Sequence, residues 1–320
     1  MNRVTRILAL GCAAALAGAS VFAASRTDVP PMMSPDTDAT SSGWKAIPVF
    51  TVSETINGYQ STGILDGIGA YARNDGYVRV LVNSELNPGN GYAYTLANGT
   101  RLTGARVSFF DIQRTTLKAQ DAGLAFDTIY DRQGDVVTDP AQINETGNNI
   151  DGLARLCSAR GVEAGQYNFV DDIFFTGEET SKPFHPHGGS EWALDVANGD
   201  LWAIPAMGRA AWENITPIAN DDPDQVAILV GDDVQAAPLY LYLGDKNTGS
   251  GNFLDRNGLE NGTLYCWAAD NGDLVPQSFN GNGASRTGTW IEIAVQDVDE
   301  AGMVGYDALG YLDGDTLRTT

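Results

Sequence analysis

The 320-residue chain carries 41 acidic against 19 basic side chains, a formal net charge of −22. So few cations could neutralise few phosphates, which excludes nucleic acid as an expected partner. A small phosphorylated substrate would also be repelled unless bound metal reversed the sign of the local potential.

The N-terminus has the pattern of a secretory signal peptide. Arg3 and Arg6 precede an apolar, alanine-rich run that continues to Ala23. We expect residues 1–23 to be removed and the mature protein to be periplasmic or extracellular. Residues 24–43 are rich in Pro, Ser, Thr and Asp and are expected to form a flexible leader, followed by one folded domain over residues 44–320. No later segment is long and apolar enough to span a membrane.

Short apolar or alternating runs recur along the rest of the chain, without a comparable helical periodicity. They lie at residues 46–52, 77–82, 107–112, 173–176, 191–195, 226–230, 239–243, 264–268 and 290–295. Turn-forming pairs stand between them at Asp75-Gly76, Asn98-Gly99, Asn198-Gly199, Asn257-Gly258 and Asn271-Gly272. Such pairs supply the positive φ angles that tight hairpins need. The sequence therefore predicts an all-β fold of short antiparallel strands.

Two segments, 192–201 and 267–274, resemble each other as strand, Asn-Gly turn, strand. Repeated hairpins favour a β-propeller, and a domain of this length exceeds an ordinary β-sandwich, which is the alternative. We predict a β-propeller, incomplete in this chain. Its central channel would let acids that are distant in sequence meet around a metal.

The apolar run at residues 173–176 leads directly into Glu178 and Glu179. Because successive strand side chains point to opposite faces, only one of these two acids is expected to point inward. The same pattern of an apolar run followed by acid recurs at Asn83-Ser84-Glu85 and Gly231-Asp232-Asp233. We predict that these acids converge as metal ligands, with solvated strand ends as the alternative for each.

The cysteines leave two interpretations open. Cys12 lies in the signal segment, so Cys157 and Cys266 remain, either as a disulfide or with Cys157 as a metal thiolate. A thiolate would select a transition metal over calcium, whereas calcium would take carboxylate oxygens. His185 and His187 read either as zinc or copper ligands or as exposed loop residues.

Seven short motifs follow one another in order after Trp44. They are Asp66-Gly67-Ile68-Gly69, Leu81-Val82-Asn83-Ser84-Glu85, Arg155-Leu156-Cys157-Ser158, Thr176-Gly177-Glu178-Glu179, Gly208-Arg209, Gly231-Asp232-Asp233 and Leu239-Tyr240-Leu241-Tyr242. As an ordered set they resemble the PhoX-type alkaline phosphatases. The resemblance implies an exported β-propeller that hydrolyses small phosphate monoesters with an iron and calcium cluster, and we expect it to act as a monomer.

The resemblance also implies roles for particular residues. Cys157 would be the thiolate ligand of iron, and Glu178 or Glu179 would bind iron or calcium. Glu85 and Asp66 would be further acidic ligands. The remaining acidic candidates for the metal site are Asp232 and Asp233. Arg209 is the candidate for binding substrate phosphate through its guanidinium fork, or else a turn residue with a surface ion pair.

The family usually carries a further arginine-proline-glutamate-aspartate segment, which this chain does not contain before Thr320. We therefore expect a C-terminally shortened member with little or no activity. The alternative functions are a secreted calcium-binding propeller that catalyses nothing, and a lactonase-like propeller hydrolase that uses calcium alone.

Overall fold

The computed structural model describes residues 26–32, 47–144, 150–180, 188–279 and 281–319. The chain divides into two units, Met1–Thr51 and Val52–Thr320. In the first unit, residues 26–32 and 47–51 contain no helix or strand, and the Arg26 backbone N–H donates to the Pro48 carbonyl at 2.8 Å. The strand predicted at 46–52 is therefore wrong over residues 47–52. The predicted signal peptide lies outside the described residues.

Strands dominate the described residues of the second unit, which confirms the antiparallel all-β prediction. The strands are β1 (Thr55–Ile56), β2 (Tyr59–Gln60), β3 (Leu65–Ala72), β4 (Tyr77–Ser84), β5 (Tyr94–Thr95), β6 (Arg101–Leu102), β7 (Arg106–Gln113), β8 (Ala119–Leu124), β9 (Thr128–Tyr130), β10 (Leu156–Val162), β11 (Ile173–Glu178), β12 (Glu191–Asp195), β13 (Asp200–Ala203), β14 (Trp212–Ile218), β15 (Gln225–Asp232), β16 (Tyr240–Asp245), β17 (Gly262–Ala269) and β18 (Gly288–Ile293). The helices are α1 (Phe253–Arg256), α2 (Gly314–Leu317) and the 3-10 turns Pro140–Gln142, Gln166–Asn168, Pro205–Met207, Pro276–Ser278 and Val298–Glu300. Among these described helices, none is long and apolar enough to cross a membrane.

The longer strands form three sheets within the described residues. Sheet I has the order β3-β4-β7-β8, sheet II the order β10-β11-β12-β13-β9, and sheet III the order β14-β15-β16-β17-β18. Neighbours are antiparallel and follow chain order, except that β4 pairs with β7 and that β9 is parallel to β13. Successive up-and-down sheets of about four strands are the units from which propellers are built.

The predicted tight turns form where glycine adopts a positive φ. Gly76 has φ 89° between β3 and β4, and Gly199 has φ 74° between β12 and β13. Of the two segments predicted to resemble each other, residues 192–201 form the complete β12–β13 hairpin. Residues 267–274 share the strand, the end of β17, and the turn at Gly272 with φ 79°, but not the returning strand, because the chain resumes a strand only at β18.

Sheet II is buried on both faces. The Phe174 side chain joins a hydrophobic cluster that contains Leu81 of sheet I, whereas Phe175 joins a second cluster that contains Ile228 of sheet III. Adjacent strand residues point to opposite faces, so a strand between two cores must be apolar at consecutive positions. This explains the continuous apolar run at residues 173–176.

Glycines allow the inner strands of the three sheets to approach closely. Strand β10 packs against β3 on one side and β14 on the other. A Cβ atom at Gly67 would lie 2.5 Å from the Ala159 backbone nitrogen, and one at Gly177 would lie 2.6 Å from the Trp212 carbonyl oxygen. These contacts bring the starting ends of β3, β10 and β14 together.

We expect Gly67→Ala to lower the free energy of unfolding by about 1–3 kcal/mol, because the added methyl group meets rigid backbone. The measurement is denaturant unfolding of chelator-treated protein, so that metal binding does not contribute. The matched control is Gly251→Ala, where nothing lies within 4 Å of the added atom, and its effect should stay within about 1 kcal/mol. Equal stabilities for the two variants would contradict the close approach.

Candidate metal centre

The first strand of each sheet is irregular near its start. Pairing with the second strand shifts register between Leu65 and Ile68 in sheet I, between Leu156 and Ala159 in sheet II, and between Trp212 and Asn214 in sheet III. Such bulges leave a residue unpaired and re-aim its side chain. The residues with ligand atoms in these three bulges are Asp66, Cys157 and Glu213.

In all three sheets, the second strand ends beside the bulge of the first strand. The backbone N–H groups of the residues that follow β4, β11 and β15 donate to carbonyls just before β3, β10 and β14. The three bonds are Glu85 to Ile64 at 2.8 Å, Glu179 to Arg155 at 3.0 Å and Asp233 to Ala211 at 2.9 Å. Each sheet thus contributes an equivalent pair, one residue from a bulge and one acid from the adjoining strand end.

The pairs from sheets I and II and the bulge of sheet III converge on one thiol. Potential ligand atoms of Asp66, Glu85 and Cys157 lie within 4.8 Å of one another, as do those of Cys157, Glu179 and Glu213. Cys157 belongs to both groups, and its Sγ–H donates to Glu213 Oε2 at 3.0 Å. Cys157 is buried and Asp66 is exposed, so the group is open to solvent on the Asp66 side. We call these five residues the thiol–carboxylate cluster.

Burial and mutual repulsion both act on this cluster. Burial raises the pKa of the Cys157 thiol far above its ordinary value, and the adjacent Glu213 carboxylate raises it further. Burial also raises the pKa of Glu179 to about 7; the charge of Arg155 opposes this shift, while Glu85 and Asp233 add to it. The protein alone therefore favours a protonated thiol, and a bound cation would favour the thiolate instead.

Three predicted acidic ligands, Glu178, Asp232 and Asp233, lie outside the cluster. Glu178 is 2% exposed, and its carboxylate accepts from the backbone N–H groups of Ala154 at 2.9 Å and Ser190 at 3.1 Å. Asp232 accepts from Arg318 Nη2 at 3.0 Å and from a backbone N–H. Adjacent residues of a strand point to opposite faces. Glu178 and Asp232 therefore point to backbone and arginine partners, whereas the next residues, Glu179 and Asp233, point to the face on which the cluster lies. Asp233 is exposed and acts on Glu179 through its charge.

Arg209 does not reach the cluster either. Its side chain is fully buried, with Nη1 bonded to Asp307 Oδ2 at 2.6 Å and Nη2 bonded to the Gly188 carbonyl at 2.7 Å. In place of the two predicted roles, phosphate binding and a surface ion pair, Arg209 forms a buried ion pair that links Asp307 to the segment just before β14. The guanidinium is inaccessible to a substrate.

Both remaining cysteines are free thiols, so the disulfide alternative is wrong. Cys157 lies on β10 of sheet II and Cys266 on β17 of sheet III. His185 and His187 lie outside the described residues. Sequence reasoning missed Glu213, which stands inside a strand rather than after one. Its signal is its equivalence to Asp66, which appears only once the first strands of sheets I and III are aligned.

Glu191 is a buried acid outside the thiol–carboxylate cluster. It is fully buried on β12, and neither carboxylate oxygen has a hydrogen-bond partner among the described residues. Burial raises its pKa from 4.5 to about 8. At neutral pH it is therefore predominantly protonated.

We expect Glu191 to make the protein less stable as the pH rises from about 4.5 to about 8. Over this range the unfolded state releases the proton that the folded state retains, so stability falls by up to about 1.4 kcal/mol per pH unit. Glu191→Gln should remove this component and be more stable than wild type at pH 8. Denaturant unfolding across this pH range tests it, with exposed Glu292→Gln as control. Parallel pH profiles for wild type and Glu191→Gln would contradict it.

The chain was compared with protein families, curated proteins and solved structures. No protein-family model matches the chain, and no curated protein matches it significantly. Among solved structures, the chain is similar to Pseudomonas fluorescens PhoX in complex with vanadate, a transition state analogue, with a TM-score of 0.47 and 15% sequence identity. The match covers 81% of this chain and 54% of that one, so the chain spans about half the length of that protein.

Proposed function

We propose that this protein is an exported, metal-dependent hydrolase of phosphate monoesters. The observation that carries the proposal is the convergence of four carboxylates on one buried thiol, from bulges and strand ends of three sheets. Export rests on the pattern of residues 1–23, and the substrate class rests on the ordered motifs that resemble the PhoX-type phosphatases.

The donor atoms suit a mixed metal centre. Four carboxylates brought together repel one another, and in the described residues Arg155 alone forms ion pairs with any of them. Calcium accepts carboxylate oxygens, while the Cys157 thiolate favours a transition metal. We therefore assign calcium to the carboxylate-rich positions and iron to the position that includes Cys157. Asp66, Glu85, Glu179 and Glu213 would complete the ligand set.

Metal ions at this centre would supply positive charge to phosphoryl oxygens and lower the pKa of an attacking water. The chain's own residues prepare for this. Glu213 Oε2 accepts the Cys157 Sγ–H at 3.0 Å, and the Glu213 side chain is partly exposed, so it is placed to pass that proton to solvent when the thiol becomes a ligand. The exposed Asp66 leaves one side open to a small substrate. Because the cluster is acidic, it should hold phosphate only with its cations in place.

The thiol assignment predicts different behaviour for the two cysteines. We expect Cys157→Ala to lose iron, because the soft ligand is removed, while Cys266→Ala retains it. Metal analysis of purified protein and its thiolate-to-iron absorption measure this. Iron retained in Cys157→Ala, or absent from wild type, would contradict the assignment.

Hydrolysis of p-nitrophenyl phosphate at alkaline pH tests the proposed activity. We expect low turnover that chelator abolishes and that calcium with iron restores. Glu213→Gln should lower kcat/KM by at least the roughly 10–100-fold that is typical of losing a group supporting a metal site, and exposed Glu292→Gln should not. Calcium binding that raises the melting temperature without any turnover would instead favour the non-catalytic calcium-binding alternative.

A further inference from the structure

Arg155 links the two halves of the thiol–carboxylate cluster. Its Nε and Nη2 donate to Glu85 Oε1 at 3.0 and 2.8 Å, and Nη2 also lies 2.7 Å from Glu179 Oε1. Glu85 belongs to the group with Asp66, and Glu179 to the group with Glu213. One guanidinium therefore fixes a carboxylate from each side of Cys157.

The backbone at Arg155 has a positive φ angle, and so does the equivalent residue of sheet I. Arg155 has φ 45°, and Ile64 at the equivalent position of sheet I has φ 53°, both in the left-handed region that non-glycine residues rarely occupy. The equivalent position of sheet III is Ala211. Strained backbone of this kind concentrates at functional sites. Of the three equivalent positions, only that of sheet II carries a cation.

The guanidinium retains unused donors. Arginine has five N–H groups, and the contacts to Glu85 and Glu179 engage Nε and Nη2. Within the described residues no hydrogen bond engages Nη1, and the side chain is 30% exposed. Two N–H groups thus have no hydrogen bond from the described residues, on a side chain that is partly exposed.

We propose that Arg155 binds a non-bridging oxygen of the substrate phosphate through Nη1; this inference rests on the proposed function. Its other two nitrogens are held by glutamates, so the fork is fixed before substrate arrives and little side-chain entropy is lost on binding. A charge-assisted N–H to phosphate bond is among the stronger hydrogen bonds in proteins. Arg155 thereby takes the role that buried Arg209 cannot perform.

The test uses the full-length, metal-loaded protein and two variants, Arg155→Lys and Arg155→Gln. Lysine keeps the positive charge beside Glu85 and Glu179 but loses the fork, and glutamine loses both. The matched control is Arg79→Gln: Arg79 donates to both oxygens of Asp111 at 2.9 and 2.8 Å, and its side chain is 29% exposed. The measurements are metal content, calorimetric affinity for inorganic phosphate, and KM and kcat for p-nitrophenyl phosphate.

We expect Arg155→Lys to retain its metals yet bind phosphate about 10-fold more weakly, with a matching rise in KM, and Arg155→Gln to lose about 10–100-fold. Arg79→Gln should equal wild type. Weakened phosphate binding without turnover in wild type would support this role while refuting the proposed catalysis.

The role of Arg155 would be overturned by any of three results. In the first, both variants bind phosphate as wild type does, which would leave the proposed hydrolysis intact. In the second, wild type binds no phosphate. In the third, both variants lose metal and phosphate together, which would mean that Arg155 only positions the ligand glutamates.

Discussion

The structure depends on holding four carboxylates around one buried thiol. Like charges at this spacing repel strongly when partly removed from water, and the Coulomb cost grows as the local dielectric falls. Burial first, and repulsion from neighbouring carboxylates second, raise the pKa values of Cys157 and Glu179 in the protein alone. Arg155 offsets part of this repulsion, and the remainder is the physical reason to infer cations at this centre.

This arrangement is possible because the fold repeats one local device in three sheets. A bulge at the start of the first strand re-aims a side chain that has a candidate ligand atom, and the residue after the second strand donates its backbone N–H to the carbonyl just before that bulge. Gly67 and Gly177 then let neighbouring sheets approach at these ends. Hydrophobic packing on both faces of sheet II holds the strands in place. The stability of these two hydrophobic clusters thus offsets the repulsion among the carboxylates of the thiol–carboxylate cluster.

The sequence predicted the parts that depend on local pattern. Alternation and apolar runs located eight of the nine predicted strands, and the Asn-Gly and Asp-Gly pairs located glycines with positive φ. It also singled out Cys157 and Glu179, which converge in the structure. It could not place β9 beside β13, because that parallel pairing depends on tertiary packing. The sequence also did not predict Glu213, because a bulge within a strand has no distinct local signature.

Glu178 and Arg209 show that residue type and local sequence do not distinguish a functional residue from one that stabilises the fold. A buried acid or arginine near a glycine is equally suited to a site or to scaffolding until its partners are known. Glu178 accepts hydrogen bonds from two backbone N–H groups, and Arg209 forms an ion pair with Asp307, so both side chains stabilise the fold. The side chains of Glu179 and Arg155, by contrast, are partly exposed. For these acids and arginines, partial exposure with unfilled bonding capacity, rather than residue type, therefore distinguishes the groups that can meet a metal or a substrate from those that hold the fold together.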